Sequence, residues 1–311
     1  MGSVIRVAGS VAAAVLLQTG MAAAPSAALA TPVTFVPCNT PALIAAVNAA
    51  NTAGSGVLRL ASFCDYALTS AAGSGRGPDG LPVIHGNIVL EGGRNTQITR
   101  SPTVRKFRII EVAAGAVLGV RNLAISGGNA DGTIRGNDTG GGILNSRGNV
   151  ALIDAWVTGN TADSGAGVSN DSGRVLVTHS NIRGNTTRSN GGGGGGFYND
   201  GSLLIAKSHI TDNNANTNGG GIYNGQGGRT ELFRSLVDHN TAGRNGGGVY
   251  NATDGRLVVI RTLIKRNTAT VAGGGISNQG IPDRVALIAS LVAGNSPDNC
   301  DPVNTIVDCT G

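Results

Sequence analysis

Lys207 is the residue of this chain whose surroundings best suit a base. Repeats aligned on a recurring asparagine (Asn160, Asn185, Asn213, Asn240, Asn267 and Asn295) place Asp154, His179, Lys207, Arg234, Arg261 and Ala289 at one position, six residues before the anchor. Where repeats stack, such a position becomes a line of side chains. An amine between other cations has its neutral form favoured, which is how a lysine base is tuned. Proton abstraction beside a sugar carboxylate needs such a base and cations that neutralise the acid group. In this reading Lys207 is the base, with His179 or Tyr198 as alternative base or acid. Arg234 and Arg261 clamp carboxylates through forked hydrogen bonds. Two residues before the anchor, Arg183 and Lys265 extend the basic stripe. The plainer reading of both positions is a solvated strand face.

A second column precedes another repeated asparagine: Leu144, Ser169, Tyr198, Tyr223, Tyr250 and Ser277. Tyrosines in line offer sugar rings an apolar surface with a polar tip. Stacking of the rings on one another, stabilising the coil, is the competing role.

The elements that hold these columns follow from a six-fold repeat ending in Asn145, Asn170, Asn199, Asn224, Asn251 and Asn278. It is written GGGILN, GAGVSN, GGGFYN, GGGIYN, GGGVYN and GGGISN, and its asparagines are 25, 29, 25, 27 and 27 residues apart. A period near 27 signals a solenoid. Between the anchors run short alternating apolar stretches such as Val175-Leu176-Val177 and Leu257-Val258-Val259-Ile260. These have strand length and a period of two. Triple glycine disfavours helical repeats, since each interior glycine costs roughly 0.5–1 kcal/mol relative to alanine. In a β-solenoid the same glycines permit tight turns and close approach of neighbouring coils. The asparagines then form ladders that satisfy turn backbone.

The termini read differently. Residues 1–30 have the form of a secretory signal, with Arg6, an apolar run and small residues ending at Ala30. Residues 31–83 read as an N-terminal cap, 84–296 as the solenoid and 297–311 as a C-terminal cap. The cap carries one helix over Pro41–Asn48, with Thr40 as N-cap. Four cysteines in a secreted chain imply two bridges. Three connectivities exist, and proximity favours Cys38–Cys64 and Cys300–Cys309. A Gly-, Ser- and Pro-rich insertion between Ser70 and Leu81 is expected to lie over one face. About eight coils are expected in all. The formal charge of +5 falls to +4 once Arg6 leaves with the signal, a mild basic balance.

This repeat resembles those of the pectate-lyase-like superfamily of right-handed parallel β-helices, and its Gly-Gly-Gly-Ile-Tyr-Asn pattern is similar to repeats of polymorphic outer-membrane proteins. The resemblance covers about residues 84–296. It implies an all-β, right-handed parallel β-helix, and it implies little about activity, because such folds serve lyases, hydrolases, adhesins and spacers alike. The chain departs from the outer-membrane group in showing no barrel segment, and from pectate lyases in lacking a cluster of aspartates to hold calcium.

Other chemistries fit less well. No carboxylate pair stands out for glycoside hydrolysis. The cysteines and histidines lack zinc spacing, and the glycine runs lead into no Gly-Lys-Ser/Thr phosphate loop. The expectation is a secreted monomer without cofactor or membrane anchor that takes an acidic polysaccharide and not nucleic acid. The leading expectation is a lyase cleaving a uronic-acid polymer (hyaluronan, chondroitin or pectin type) by β-elimination, and the alternative is a non-catalytic carbohydrate-binding or adhesive β-helix.

Overall fold

Alternation becomes burial strand by strand. In the computed structural model, Arg174–Thr178 buries Val175 and Val177 and turns Arg174 and Leu176 outward. The structure describes residues 33–132, 138–188, 192–302 and 306–309. The leader expected over 1–30 lies outside these residues.

One repeat makes one coil. From Arg174–Thr178 the chain passes to Asn181–Arg183, Thr186–Thr187 and Phe197–Asn199. It then returns as Ser202–Ala206, which pairs in parallel with Arg174–Thr178. Stacking of these coils builds four parallel sheets of ten, nine, eight and five strands, called here the first, second, third and fourth. Along the chain the coils that contribute to all four visit them in the order first, second, fourth, third. The molecule is a parallel β-helix of about ten coils, not eight. The additional coils begin inside the expected cap at Val33–Val36 and Ser55–Leu60, which pair with one another, and Ser55–Leu60 pairs onward with Asn87–Glu91 of the expected solenoid. They lack the triple-glycine signature. Parallel pairing needs only backbone and an apolar inward face, so coils with wider turns leave no such mark in the sequence.

One apolar column after another fills the interior. Ile88, Leu118, Val150, Val175 and Leu203 follow one another in register on the first sheet. Ile110, Ile143, Val168, Phe197, Ile222, Val249 and Ile276 do so on the third, and all are almost fully buried.

Both asparagine series form buried ladders. Asn185 Nδ2 donates to Asn213 Oδ1 at 2.9 Å, and Asn213 Nδ2 to Asn240 Oδ1 at 3.0 Å. The same oxygen of Asn213 accepts the Asn185 main-chain N–H at 3.1 Å. At the turn into the first sheet, Asn170 Nδ2 donates to Asn199 Oδ1 at 2.7 Å. A buried amide with every group paired is a strong specifier of register, because slipping by one residue would orphan several donors at once.

The N-terminal end is closed by helix α1, Thr40–Ala53. Its N-cap is Asn39, whose Oδ1 accepts from Ala42 N at 3.1 Å. Thr40, expected in that role, is the first helical residue and donates its hydroxyl to Ala67 O at 3.1 Å. The bridges are Cys38–Cys64 and Cys300–Cys309, at the two ends of the solenoid.

Candidate functional site

The basic column occupies a corner. Each of His179, Lys207, Arg234 and Arg261 is the first of the two residues that turn the chain from the first sheet into the second, and each has a left-handed backbone, φ 47–50°. Sequence alternation cannot show this, since it describes strands and not corners. The pairing extends the corner in both directions, to Asp154, Asn122, Asn95 and Phe63 on one side and Ala289 on the other, all at positive φ. Asparagine and aspartate tolerate this conformation best among non-glycine residues; for the others it costs on the order of 1 kcal/mol.

A third ladder holds the corner in shape. Ser180, Ser208, Ser235, Thr262 and Ser290 follow it directly. The Ser208 hydroxyl donates to Ala206 O at 2.8 Å, bridging back across Lys207, and accepts the Ser180 N–H at 3.1 Å. The Ser235 hydroxyl does the same with Phe233 O and Ser208 N. The hydroxyl fixes the backbone, so the corner side chain itself is free to vary.

The four corner residues are exposed. The His179 ring nitrogen Nδ1 lies 3.1 Å from the Thr178 hydroxyl, and the Arg234 guanidinium sits 5.1 Å from the Phe233 ring centre. Lys207 and Arg261 make no ion pair among the described residues. Beside the corner, Arg183 is paired with Asp212 at 2.9 Å, while Lys265 is half-buried in register with Asp238.

The tyrosine column stands elsewhere. Tyr198, Tyr223 and Tyr250 are in register on the outer face of the third sheet, with ring centres 5.0 and 4.9 Å apart and planes within 9° and 26°. Their faces cover one another. Gly193 passes against the Tyr223 ring, where a side chain would collide. Burial above all pushes the three hydroxyls up, and the Asp200 carboxylate bonded to Tyr198 adds to its shift. Between this column and the basic corner runs the full width of the first sheet, five residues or about 16 Å of strand. The two columns therefore line separate faces.

Further along the tyrosine column the third sheet carries Leu144 and Glu111, and here the 70–82 insertion lies across it. Gly73–Ser74 and Pro78–Asp79 form a small antiparallel hairpin. Arg76 N donates to Glu111 Oε2 at 2.7 Å, and the Arg76 side chain reaches Asp171 in an ion pair. Beneath it, fully buried Asp79 and Arg108 pair at 2.8 Å. Asp79 also hydrogen-bonds to the Glu111 carboxyl, which requires a proton between the two acids. Burial first, then Glu111 against the pull of Arg108, pushes Asp79 up to about 7. This carboxylate pair is a fastening for the strap.

The corner changes character at its N-terminal end. Most coils turn with two residues, but the chain takes five, Gly92–Thr96, between Asn87–Glu91 and the following strand, Gln97–Arg100. Gly92 packs on Asn122 O and Gly93 on the Ser62 side chain, positions where a Cβ would lie 2.3 and 2.0 Å from those atoms. The wide turn leaves a depression of about 500 Å³, lined by Arg94, Asn95, Gln97, Asn122, Ala124 and Trp156 with Gly93 and Thr96. Sequence reading missed these residues because this coil lacks the asparagine anchor that aligned the others.

Comparison with known proteins adds no relative: no protein family, no curated protein and no solved structure matches this chain. The fold and ends define a parallel β-solenoid closed by a disulfide at each end. Two bridges and no free cysteine among the described residues point to an oxidising environment. No helix of the described residues is long and apolar enough to cross a membrane.

Proposed function

We propose that this chain is a secreted carbohydrate-binding β-helix that holds an acidic polysaccharide along its basic corner, and that it belongs with the pectate-lyase-like right-handed β-helices. The observation that carries this reading is the exposure of His179, Lys207, Arg234 and Arg261 on four successive corners, about 4.8 Å apart. Lys207, Arg234 and Arg261, the three cations so arranged, repel by roughly 1 kcal/mol per neighbouring pair in water. A polyanion laid along the column reverses that sign. The tyrosine face supports an acidic ligand less well, since Asp171, Asp200 and Asp301 flank it.

The second reading is β-elimination on the same polymer, with Lys207 as base, His179 as its partner and Arg234 and Arg261 on the sugar carboxylates. The succession of two titratable groups, His179 and Lys207, and two guanidinium groups, Arg234 and Arg261, along the corner favours it. The open, convex corner favours binding over chemistry, because preorganised catalysis draws on walls that exclude water.

One experiment separates them. The chain is mixed with polygalacturonate, hyaluronan and chondroitin sulfate, while retention in affinity electrophoresis and absorbance of unsaturated uronate products are followed. Retention without absorbance, lost in K207E/R234E/R261E, is the expected result. Rising absorbance would replace the binding reading with the lyase, and no retention on any acidic polymer would end both.

A further inference from the structure

We infer that the depression beside Trp156 is a subsite for one pyranose ring of a glycan. Trp156 is the chain's only tryptophan and is 42% exposed. Its neighbour in the strand column is Ala124, and beyond that lies Gln97. The small alanine leaves the indole bordered by a gap on that side instead of by another large side chain. An exposed indole beside a gap is the platform on which the apolar C–H face of a sugar packs, with its N–H at the wet rim.

The rest of the lining supplies what sugar hydroxyls need. Gln97, Asn95 and Asn122 each carry an amide that both donates and accepts. Asn122 Nδ2 has one long contact, 3.3 Å to Gly92 O, while the side chains of Asn95, Gln97 and Arg94 make no hydrogen bond among the described residues. Asn95 and Asn122 both stand at left-handed corners, φ 49° and 46°, so ladder pairing and not chance rotation sets where their amides start. The volume, about 500 Å³, lies within the range of small-molecule sites. Arg94, the one charged group in the lining, matches a ring that bears a carboxylate.

The position connects this pocket to the corner. Asn122 precedes His179 by two coils in the same column, with Asp154 between them, a span of about 10 Å. A polymer lying on the basic corner thus reaches the pocket. The inference rests on the polysaccharide reading for that continuation, but ring recognition stands on the pocket's own residues. The other candidates carry less: the depression under the strap is lined only by Ala71–Gly75 and Gly77–Pro78, and the buried acids there are occupied in holding it down.

Because Trp156 is the only indole, its fluorescence reports this site alone. The purified chain is titrated with tetragalacturonate, a hyaluronan tetrasaccharide and cellotetraose. A saturable change is expected with at least one acidic tetramer, tenfold or more weaker in Q97A and absent in A124L, whose added bulk fills the gap. R94A is expected to weaken the acidic tetramer several-fold and leave cellotetraose unchanged. K207E/R234E/R261E separates the two proposals: the tetramer response persists within about twofold while retention of long polymer is lost. No fluorescence change with any tetramer, while the chain still retains polymer, would overturn the pocket and spare the corner. An undiminished response in A124L would also overturn it.

Discussion

The corner between the first and second sheets and the outer face of the third sheet are both columns of outward side chains repeated once per coil, yet they have opposite fates. At the corner a serine or threonine hydroxyl behind each residue fixes the backbone, so the corner side chain stands in solvent with few obligations. On the third sheet the outward residues are covered by the strap, by glycine-rich chain and by one another, and Leu144, Ser169 and Ser277 are buried although they face away from the core. The comparison teaches that repetition alone does not mark a binding surface. What matters is whether the fold has already used the outward side chain.

The largest effect that tests this contrast lies under the strap. Arg108→Leu removes the buried guanidinium and leaves Asp79 and Glu111 facing each other, so we expect a loss of about 3–5 kcal/mol in urea denaturation. A loss below 1 kcal/mol would mean that the strap is not fastened there.

The same pair gives a pH dependence. Asp79 is raised from 3.8 to about 7, mainly by burial, with Arg108 opposing. A carboxyl raised on folding holds its proton more tightly in the native state. Its stabilising contribution is therefore complete below its ordinary range and is lost as pH climbs through about 7. Stability should fall by an amount on the order of a few kcal/mol between about pH 4 and pH 7, and Asp79→Asn should flatten the profile. A flat wild-type profile would remove the shared proton from the account.

Smaller again is Tyr223→Ala, which breaks two ring contacts and leaves a gap beneath Gly193. The expectation is about 2–3 kcal/mol of destabilisation with polymer retention unchanged. A loss of retention with an intact fold would move the binding face to the tyrosines.

The smallest effect has the opposite sign. Lys207→Gly replaces a residue at φ 49°, and glycine should leave stability unchanged or raise it by up to about 1 kcal/mol while weakening retention. A clear destabilisation would show that the corner side chain does bear on the fold.

For the disulfides the sequence only favoured one of three connectivities by proximity; by itself it determined the solenoid and both asparagine ladders. Each rests on local chemistry repeated at fixed spacing: glycine where turns are tight, an amide where backbone needs a partner, alternation where one face is buried. It also brought His179, Lys207, Arg234 and Arg261 into one line, because coil stacking preserves repeat position. Tertiary structure alone decided that this line is a left-handed corner and that the tyrosines are turned face to face. It alone brought Arg76 to Asp171 over 95 residues and Gln97 to the neighbourhood of Trp156. The first coils carry no repeat signature, so nothing in the chain announces which residues their wide turns set side by side. Such contacts depend on which coil lies above which, and only the closed ladder fixes that.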